Sequence, residues 1–178
     1  MTPANQPKAL TLSVEKIGAE NALSLFNCGQ RPVDHWARKS ALKLHKKGRH
    51  KVYLASAEGY ESPIGFYSLS MAHRKAAKLL RQEDRDGWHM GAPFVFLDWL
   101  GVHKDHQNKG VGRILLADAI NRTMIVNDIV PVYGLALSSL NKETTNYYEK
   151  LGFRMAPGES ADANPLMILP IFTIVELF

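Results

Sequence analysis

The stretch LGVHKDHQNKGVGR, from Leu100 to Arg113, decides the fold. It overlaps the end of Phe94–Val102, a run of aromatic and β-branched residues that predicts a buried central strand. A polar turn follows, then a glycine-containing loop, and the apolar residues after Gly112 predict a long helix. A buried strand that leads through a short loop into a helix is typical of a mixed α/β sheet.

The loop Gln107–Arg113, called the glycine loop below, has the chemistry of an anion site. The first turn of a helix leaves backbone N–H groups unpaired, and the helix dipole puts its positive end there. Gly110 and Gly112 lack a Cβ, so a pyrophosphate could approach the backbone, and Lys109 and Arg113 add positive charge. The pattern Q-x-x-G-x-G is neither the Walker loop nor the dinucleotide-binding loop.

Working outward from this segment, the remaining elements follow from periodicity and turn residues. The predicted strands are Leu10–Val14, Lys51–Ala57, Ile64–Ser70, Val132–Leu137 and a strand-like tail, Leu166–Leu177. The predicted helices are Gly18–Leu25, Pro32–Leu44, Ala72–Leu80, a long helix after Gly112 and Asn141–Lys150. Together they predict one mixed α/β domain over residues 1–178, with residues 1–8 flexible.

Composition excludes several classes of protein. With Cys28 as the only cysteine, no internal disulfide can form, which fits a reducing cytoplasm. The sequence predicts neither a secretory signal nor a membrane span, because no apolar run reaches the length that a span needs. The histidines show no spacing with cysteine or paired carboxylates that would predict a metal site.

A second motif identifies the family. The stretch NKETTNYYEKLGF, Asn141–Phe153, resembles the N-x-x-A-x-x-F-Y-x-x-x-G-F stretch of the GNAT superfamily of N-acetyltransferases, and the glycine loop resembles that family's acyl-CoA pyrophosphate loop. Thr144 and Tyr147 stand where the family usually has alanine and phenylalanine. The two motifs occur in the family's order over about Phe94–Phe153, and the resemblance implies a mostly antiparallel central sheet flanked by helices.

The resemblance also implies acetyl-CoA as co-substrate, with the strand before the loop pairing with the pantetheine arm. The residues it assigns to coenzyme A are Leu100, Gly101, Val102, Gln107, Asn108, Lys109, Gly110, Val111, Gly112, Arg113, Asn141 and Tyr148.

Tyr148 is the predicted catalytic residue, because a phenol can protonate the thiolate that leaves when an amine attacks a thioester. The alternative is a core tyrosine whose hydroxyl binds water. Asp98 lies inside the central strand, either as a general base or paired with a basic neighbour, and we favour the pairing. Cys28 has no adjacent base, so we expect a structural thiol.

The segment Arg31–Lys51, called the basic segment below, contains eight Lys or Arg residues and one acid, Asp34, in a chain of net charge +5. It is either a solvated helix face or a surface for a polyanion. The predicted substrate-binding residues are Arg38, Lys39, Lys43, Lys46 and Lys47.

The turn Phe26–Gln30 and the basic segment resemble the toxin branch of the GNAT family, although Asn27 stands where aspartate is usual. This branch implies acetylation of the α-amine of aminoacyl-tRNA, a ribbon-helix-helix antitoxin as partner, a homodimer as one form of assembly, and the cytoplasm as location. Two alternatives stay open: a GNAT enzyme acting on a small-molecule or protein amine, and a non-catalytic fold that binds coenzyme A or a partner.

Overall fold

The sheet is built around one long strand. The computed structural model describes residues 12–18, 22–74, 80–161 and 163–177. Its strands are β1 (Leu12–Lys16), β2 (Lys51–Ala57), β3 (Gly65–Arg74), β4 (Ala92–Val102), β5 (Gly134–Ser138), β6 (Arg154–Met155) and β7 (Leu166–Pro170). Its α-helices are α1 (Arg31–Lys39), α2 (Ala41–Lys46), α3 (Val111–Ile129), α4 (Lys142–Lys150) and α5 (Ile171–Leu177).

Over the described residues, the strands form one sheet in the order β1-β2-β3-β4-β5-β7-β6. Every neighbouring pair is antiparallel except β4 and β5, which are parallel and are joined by the crossover helix α3. This confirms the predicted mixed, mostly antiparallel sheet.

Each face of the sheet carries its own core, because alternate residues of a strand point to opposite sides. Tyr53 packs with Leu115 of α3 on one face, whereas its neighbour Val52 packs with Ala37 of α1 and Ala41 of α2 on the other. Helices therefore flank the sheet on both sides, and β4 lies buried between them.

The parallel pair β4–β5 is short. Only Phe94–Phe96 of β4 pairs with β5, at Gly134–Ala136. On its other side β4 has a β-bulge: Ser68 lies opposite Trp99 and Leu69 opposite Leu97, so Asp98 is the extra residue. Beyond Phe96 the two parallel strands part, and the second half of β4 has no strand neighbour on the β5 side within the described chain.

Most predicted elements are confirmed, including Lys51–Ala57, its hairpin with the next strand, the central strand and the capped helix after Asn141. The predicted helix Pro32–Leu44 is interrupted at Ser40, whose φ of −120° lies outside the helical range. Tail residues 171–177 form a helix, because Ile171 and Ile174 face the core at helical spacing.

Three predictions near the ends of the described ranges need correction. Within the predicted helix Ala72–Leu80, Ala72–Arg74 instead extend β3, because the long strand β4 offers them pairing partners down to Ala92. Ala22–Leu25 form a turn rather than a helix, and the first strand runs over Leu12–Lys16 instead of ending at Val14. Residues 1–11, 19–21 and 75–79, including the segment predicted to be flexible, lie outside the described residues.

Candidate active site

A cavity of about 360 Å³ opens where β4 and β5 part. It brings together residues of β4, β5, α4, the start of α1 and the glycine loop, although these are far apart in sequence. The lining residues are Cys28, Gln30, Val33, Leu97, Asp98, Trp99, Leu100, Val102, Gln107, Leu137, Ser138, Leu140, Thr144 and Tyr148. Four predicted site residues, Leu100, Val102, Gln107 and Tyr148, therefore meet here.

The free edge of β4 faces this cavity. The N–H of His103 donates to Ile64 O at 2.8 Å, which points it toward β3. Because peptide groups alternate along a strand, those of Val102 and Leu100 point the other way, toward the cavity. The Val102 carbonyl accepts from Gln107 Nε2 at 3.0 Å, so Leu100 offers the open edge where an extended ligand arm could pair.

Gly101 has a different place from the one predicted. It is buried, and a Cβ added there would lie 3.0 to 3.1 Å from Phe66, Phe26 and Val33. The absent side chain lets α1 and the residues before it pack directly on β4. Gly101 therefore shapes the site through packing, and it is not among the residues that line the cavity.

Within the glycine loop, Gly110 is the N-cap of α3 and has a left-handed φ of 81°. The N–H groups of Arg113 and Ile114 both donate to Gly110 O, at 3.1 and 3.2 Å. Those of Val111 and Gly112 have no acceptor within the helix. A Cβ added at Gly110 would meet nothing within 4 Å, so the space beside Gly110 is open, and unpaired N–H groups at the start of a helix are donors of the kind that bind phosphate.

Charged and polar side chains complete the loop. Asn108 also has a left-handed φ, of 59°, which turns the chain toward Gly110. Lys109 Nζ donates to Asp105 O at 2.8 Å, and this bond ties the glycine loop to the turn before it. Arg113 is exposed at the rim, where its guanidinium can reach an anion.

The Gln107 side chain points inward. Its Nε2 donates to Cys28 O at 2.8 Å and to Val102 O at 3.0 Å. Both amide hydrogens are therefore used within the protein, and the side chain ties the glycine loop to the end of β4 and to the turn before α1.

Helix α4 places Tyr148 at the cavity. Asn141 and Thr144 form a capping box: Thr144 N donates to Asn141 Oδ1 at 2.9 Å, and Asn141 N donates to Thr144 Oγ1 at 3.0 Å. The hydroxyls of Ser139 and Thr145 share a buried hydrogen bond of 2.6 Å, which fixes the helix to the chain after β5. Asn141 thus acts as a helix cap and does not line the cavity.

The environment of Tyr148 suits a proton donor. Its ring packs on Phe153, with the centroids 5.4 Å apart. Burial, and to a smaller extent the neighbouring Tyr147, raise the pKa of Tyr148 to about 12. The phenol is therefore neutral at physiological pH, which is the state that a proton donor to a developing thiolate must have, although the raised pKa also makes it a weaker acid than a free tyrosine.

Asp98 occupies the β-bulge at the cavity wall. Its Oδ2 lies 3.3 Å from Nδ1 of His50, which agrees with the expectation of a basic neighbour. Burial nevertheless outweighs the hydrogen bond to Ser70 and the attraction of His50, so the pKa of Asp98 is raised.

Cys28 behaves as the expected structural thiol. It is buried, and this burial is the main reason why the pKa of the thiol is raised to about 11. The neighbouring Asp34 raises the pKa to a smaller extent. No metal site assembles among the His, Cys, Asp and Glu side chains of the described ranges. In the same ranges, no helix combines the length and apolar character of a membrane span.

The basic segment forms an exposed surface beside the cavity. A groove of about 800 Å³ runs along α1. Its lining residues are Asn27, Gly29, Arg31, Pro32, Asp34, His35, Arg38 and Lys39. Lys39, Lys43, Lys46 and Lys47 are exposed. Arg38 differs from them, because its Nε donates to Phe26 O at 2.7 Å.

Sequence reasoning missed several cavity residues. Val33, Leu137 and Ser138 carry no motif that distinguishes them from ordinary helix and strand residues. Gln30 and Cys28 belong to the turn singled out for its toxin-like sequence, which was the one available signal on this side of the cavity.

Comparison with known proteins identifies the family of the chain. The family model described as "Acetyltransferase (GNAT) domain" matches residues 48–155, which include the central strand, the glycine loop and α4. The "tRNA-acetylating toxin" of Mycobacterium tuberculosis is 28% identical over 157 residues, covering 86% of this chain and 89% of the toxin. "Probable toxin TacT" of Sinorhizobium fredii is 29% identical over 161 residues, covering 85% and 86%.

Solved structures share the fold. AtaT complexed with acetyl-methionyl-tRNAfMet superposes with a TM-score of 0.82 at 24% identity, covering 94% of this chain and 99% of AtaT. A mutant AtaT bound to the C-terminus of the antitoxin AtaR and to acetyl-CoA gives 0.75 at 24% identity, covering 94% and 98%. The family match spans most of the chain and includes the strand, loop and helix that build the cavity, so the chain belongs to the GNAT acetyltransferase family.

Proposed function

We propose that this chain transfers the acetyl group of acetyl-CoA to the α-amine of an aminoacyl-tRNA. The observation that supports this acceptor is that one turn separates the cavity from the groove along α1. Cys28 and Gln30 of this turn line the cavity. Asn27 and Gly29 of the same turn line the groove. A polyanion lying in the groove would therefore bring its end to the cavity that contains Tyr148. Phosphate contacts of this kind need exposed Lys and Arg residues.

In the proposed reaction the glycine loop, the free edge of β4 and Tyr148 each have one role. The glycine loop holds the pyrophosphate and the free edge of β4 at Leu100 holds the pantetheine arm, which places the thioester near Tyr148. The neutral amine attacks the thioester carbonyl, so that a C–N bond forms and the C–S bond breaks. Tyr148 gives its proton to the departing sulfur, the amine nitrogen loses a proton to solvent, and the Tyr148 oxygen then takes a proton back from solvent.

An aminoacyl ester suits this site as acceptor. Its α-amine is less basic than a lysine side chain, so more of it is already neutral at physiological pH. The known proteins agree: the Mycobacterium tuberculosis relative is named for tRNA acetylation, and AtaT has been solved with an acetylated aminoacyl-tRNA.

Toxins of the same fold have been solved with their partners. AtaT has been solved with the antitoxin AtaR, and a KacTA complex with DNA has also been solved. We extend the proposal to an antitoxin partner for this chain, of the ribbon-helix-helix type, with the homodimer as the state of assembly and the cytoplasm as the location.

The acceptor is tested by supplying labelled acetyl-CoA with aminoacyl-tRNA, deacylated tRNA, a lysine-containing peptide or a polyamine. We expect label on aminoacyl-tRNA alone. Label on the peptide or polyamine instead would replace the proposal with a protein or small-molecule acetyltransferase. Tight binding of acetyl-CoA with no transfer to any acceptor would indicate a non-catalytic fold.

The glycine loop gives a prediction with a matched control. Gly110→Val forces a β-branched residue to a φ of 81° and puts methyl groups in the open space before the helix donors. Calorimetry should show acetyl-CoA binding weakened about tenfold or more, equivalent to about 1.4 kcal/mol. Gly158→Val meets the same φ of 81° and the same open space away from the site, so it should bind like the parent. Equal affinities in both variants would contradict the assignment of the loop.

Tyr148→Phe removes the proton donor while keeping the packing on Phe153. We expect kcat to fall about 10²-fold, with little change in the acetyl-CoA dissociation constant. The control is Tyr147→Phe, since Tyr147 is 43% exposed and does not line the cavity. Because burial raises the pKa of Tyr148 to about 12, the acid form persists at alkaline pH, and the rate should show no loss from this group up to pH about 10. Wild-type kcat in Tyr148→Phe would leave Tyr148 a packing role only.

Lys43→Gln tests the basic segment, because Lys43 is exposed on α2. If it contacts a phosphate, tRNA affinity should fall and the slope of log K against log salt should flatten by about 0.7 to 0.9. Lys150→Gln on α4 has the same change in net charge at another exposed position and should leave the slope unchanged. An unchanged slope in Lys43→Gln would assign the basic segment to a solvated surface or to the antitoxin.

A further inference from the structure

The turn Phe26–Cys28, called the anchor turn below, has three consecutive carbonyl groups that each accept a hydrogen bond from a distant part of the chain. Phe26 O accepts from Arg38 Nε at 2.7 Å, and Cys28 O accepts from Gln107 Nε2 at 2.8 Å. Between them, Asn27 O accepts from the backbone N–H of Lys104 at 2.9 Å. No regular helix or strand explains these bonds, so the turn is held by specific partners.

Those partners belong to two different sites. Arg38 comes from α1, and Asp34 of the same helix accepts from the N–H of Cys28 at 2.7 Å. Lys104 and Gln107 come from the segment between β4 and α3 that contains the glycine loop. The anchor turn is therefore fixed on one side by the helix that lines the basic groove and on the other by the loop assigned to acetyl-CoA.

Burial of Phe26 and Cys28 further limits the movement of the anchor turn. The side chain of Phe26 is 3% exposed and meets Phe66 edge-to-face, with the centroids 4.9 Å apart. Cys28 is 8% exposed. Removing a donor would leave a carbonyl without its partner in this packed region, and the turn would have to move to find water.

We propose that Gln107 and Arg38 are positioning residues that lock the anchor turn from opposite sides and so couple the acetyl-CoA loop to the acceptor groove. The acceptor half of this inference rests on the proposed function. Gln107 acts by joining Cys28 to Val102, and Arg38 acts by holding Phe26, so neither needs to touch a phosphate to affect both substrates. Displacing the turn shifts Cys28 in the cavity and Asn27 in the groove together.

Cys28 offers a probe of the turn that needs no acceptor. It is the only cysteine and only 8% of it is exposed, at the cavity wall, so opening of the turn should accelerate its alkylation by a thiol reagent. Gln107→Met keeps the length of the side chain and removes both donors. We expect it to accelerate alkylation about tenfold, while acetyl-CoA slows alkylation in the parent. Gln82→Met makes the same change at an exposed position far from the turn and should label like the parent.

Global unfolding is separated from local opening by repeating the labelling at low urea concentrations. Local opening exposes little surface, so its rate should depend weakly on urea, whereas labelling through unfolding should rise steeply. A labelling rate in Gln107→Met that equals the parent's, or that rises only through unfolding, overturns the inference.

Arg38→Lys distinguishes positioning from phosphate contact, because it keeps the charge and loses the planar Nε donor. We expect faster Cys28 labelling, a raised acceptor KM and an unchanged salt slope; parent-like labelling with a normal KM overturns the role of Arg38. Gln107→Met should raise KM for both substrates, whereas a residue that only binds acetyl-CoA would raise one. If the parent acetylates no aminoacyl-tRNA, the proposed function fails, and the labelling experiment still decides whether Gln107 and Arg38 lock the turn.

Discussion

The early parting of β4 and β5 is the constraint on which the rest of the site depends. These parallel strands share three residue pairs, and then the edge of β4 continues without a strand neighbour in the described structure. Backbone groups left without a strand neighbour need other partners. The protein supplies one through Gln107, which donates to Val102 O, and leaves the Leu100 peptide facing a cavity. The same gap that interrupts the sheet therefore creates the place where a ligand can complete it.

Helix α4 shows how local sequence fixes a side chain at that gap. It has nine residues, which is too short for a stable helix in isolation. Its capping box and the buried Ser139–Thr145 hydrogen bond hold it to the chain after β5, and the contact of Tyr148 with Phe153 holds the other end. Tyr148 is thus positioned by neighbours that are themselves held in place, whereas the adjacent Tyr147 is 43% exposed.

The sequence predicted the elements whose signals are local. The β-branched run of β4, the glycines of the loop and the Asn141 cap each depend on residues within one turn or strand, and all were found. The hydrogen bonds of Gln107 and Arg38 join residues that lie 79 and 12 positions apart, so the sequence predicts that these residues bind substrates but does not predict these contacts within the protein. Packing makes Arg38 unlike Lys39, and no pattern in the sequence records this difference.

Burial and charge are separated across the two halves of the proposed site. At the cavity, burial raises the pKa of Tyr148, Cys28 and Asp98 alike, so each group is shifted toward its neutral form. The positive charges lie outside, on the exposed basic segment and the rim of the glycine loop. A thiolate released into such a cavity would be poorly solvated, which strengthens the demand for a proton from a neutral phenol. In the proposed reaction the exposed positive charges hold the charged substrates, while the bond-making step takes place beside Tyr148, whose phenol burial keeps neutral at physiological pH.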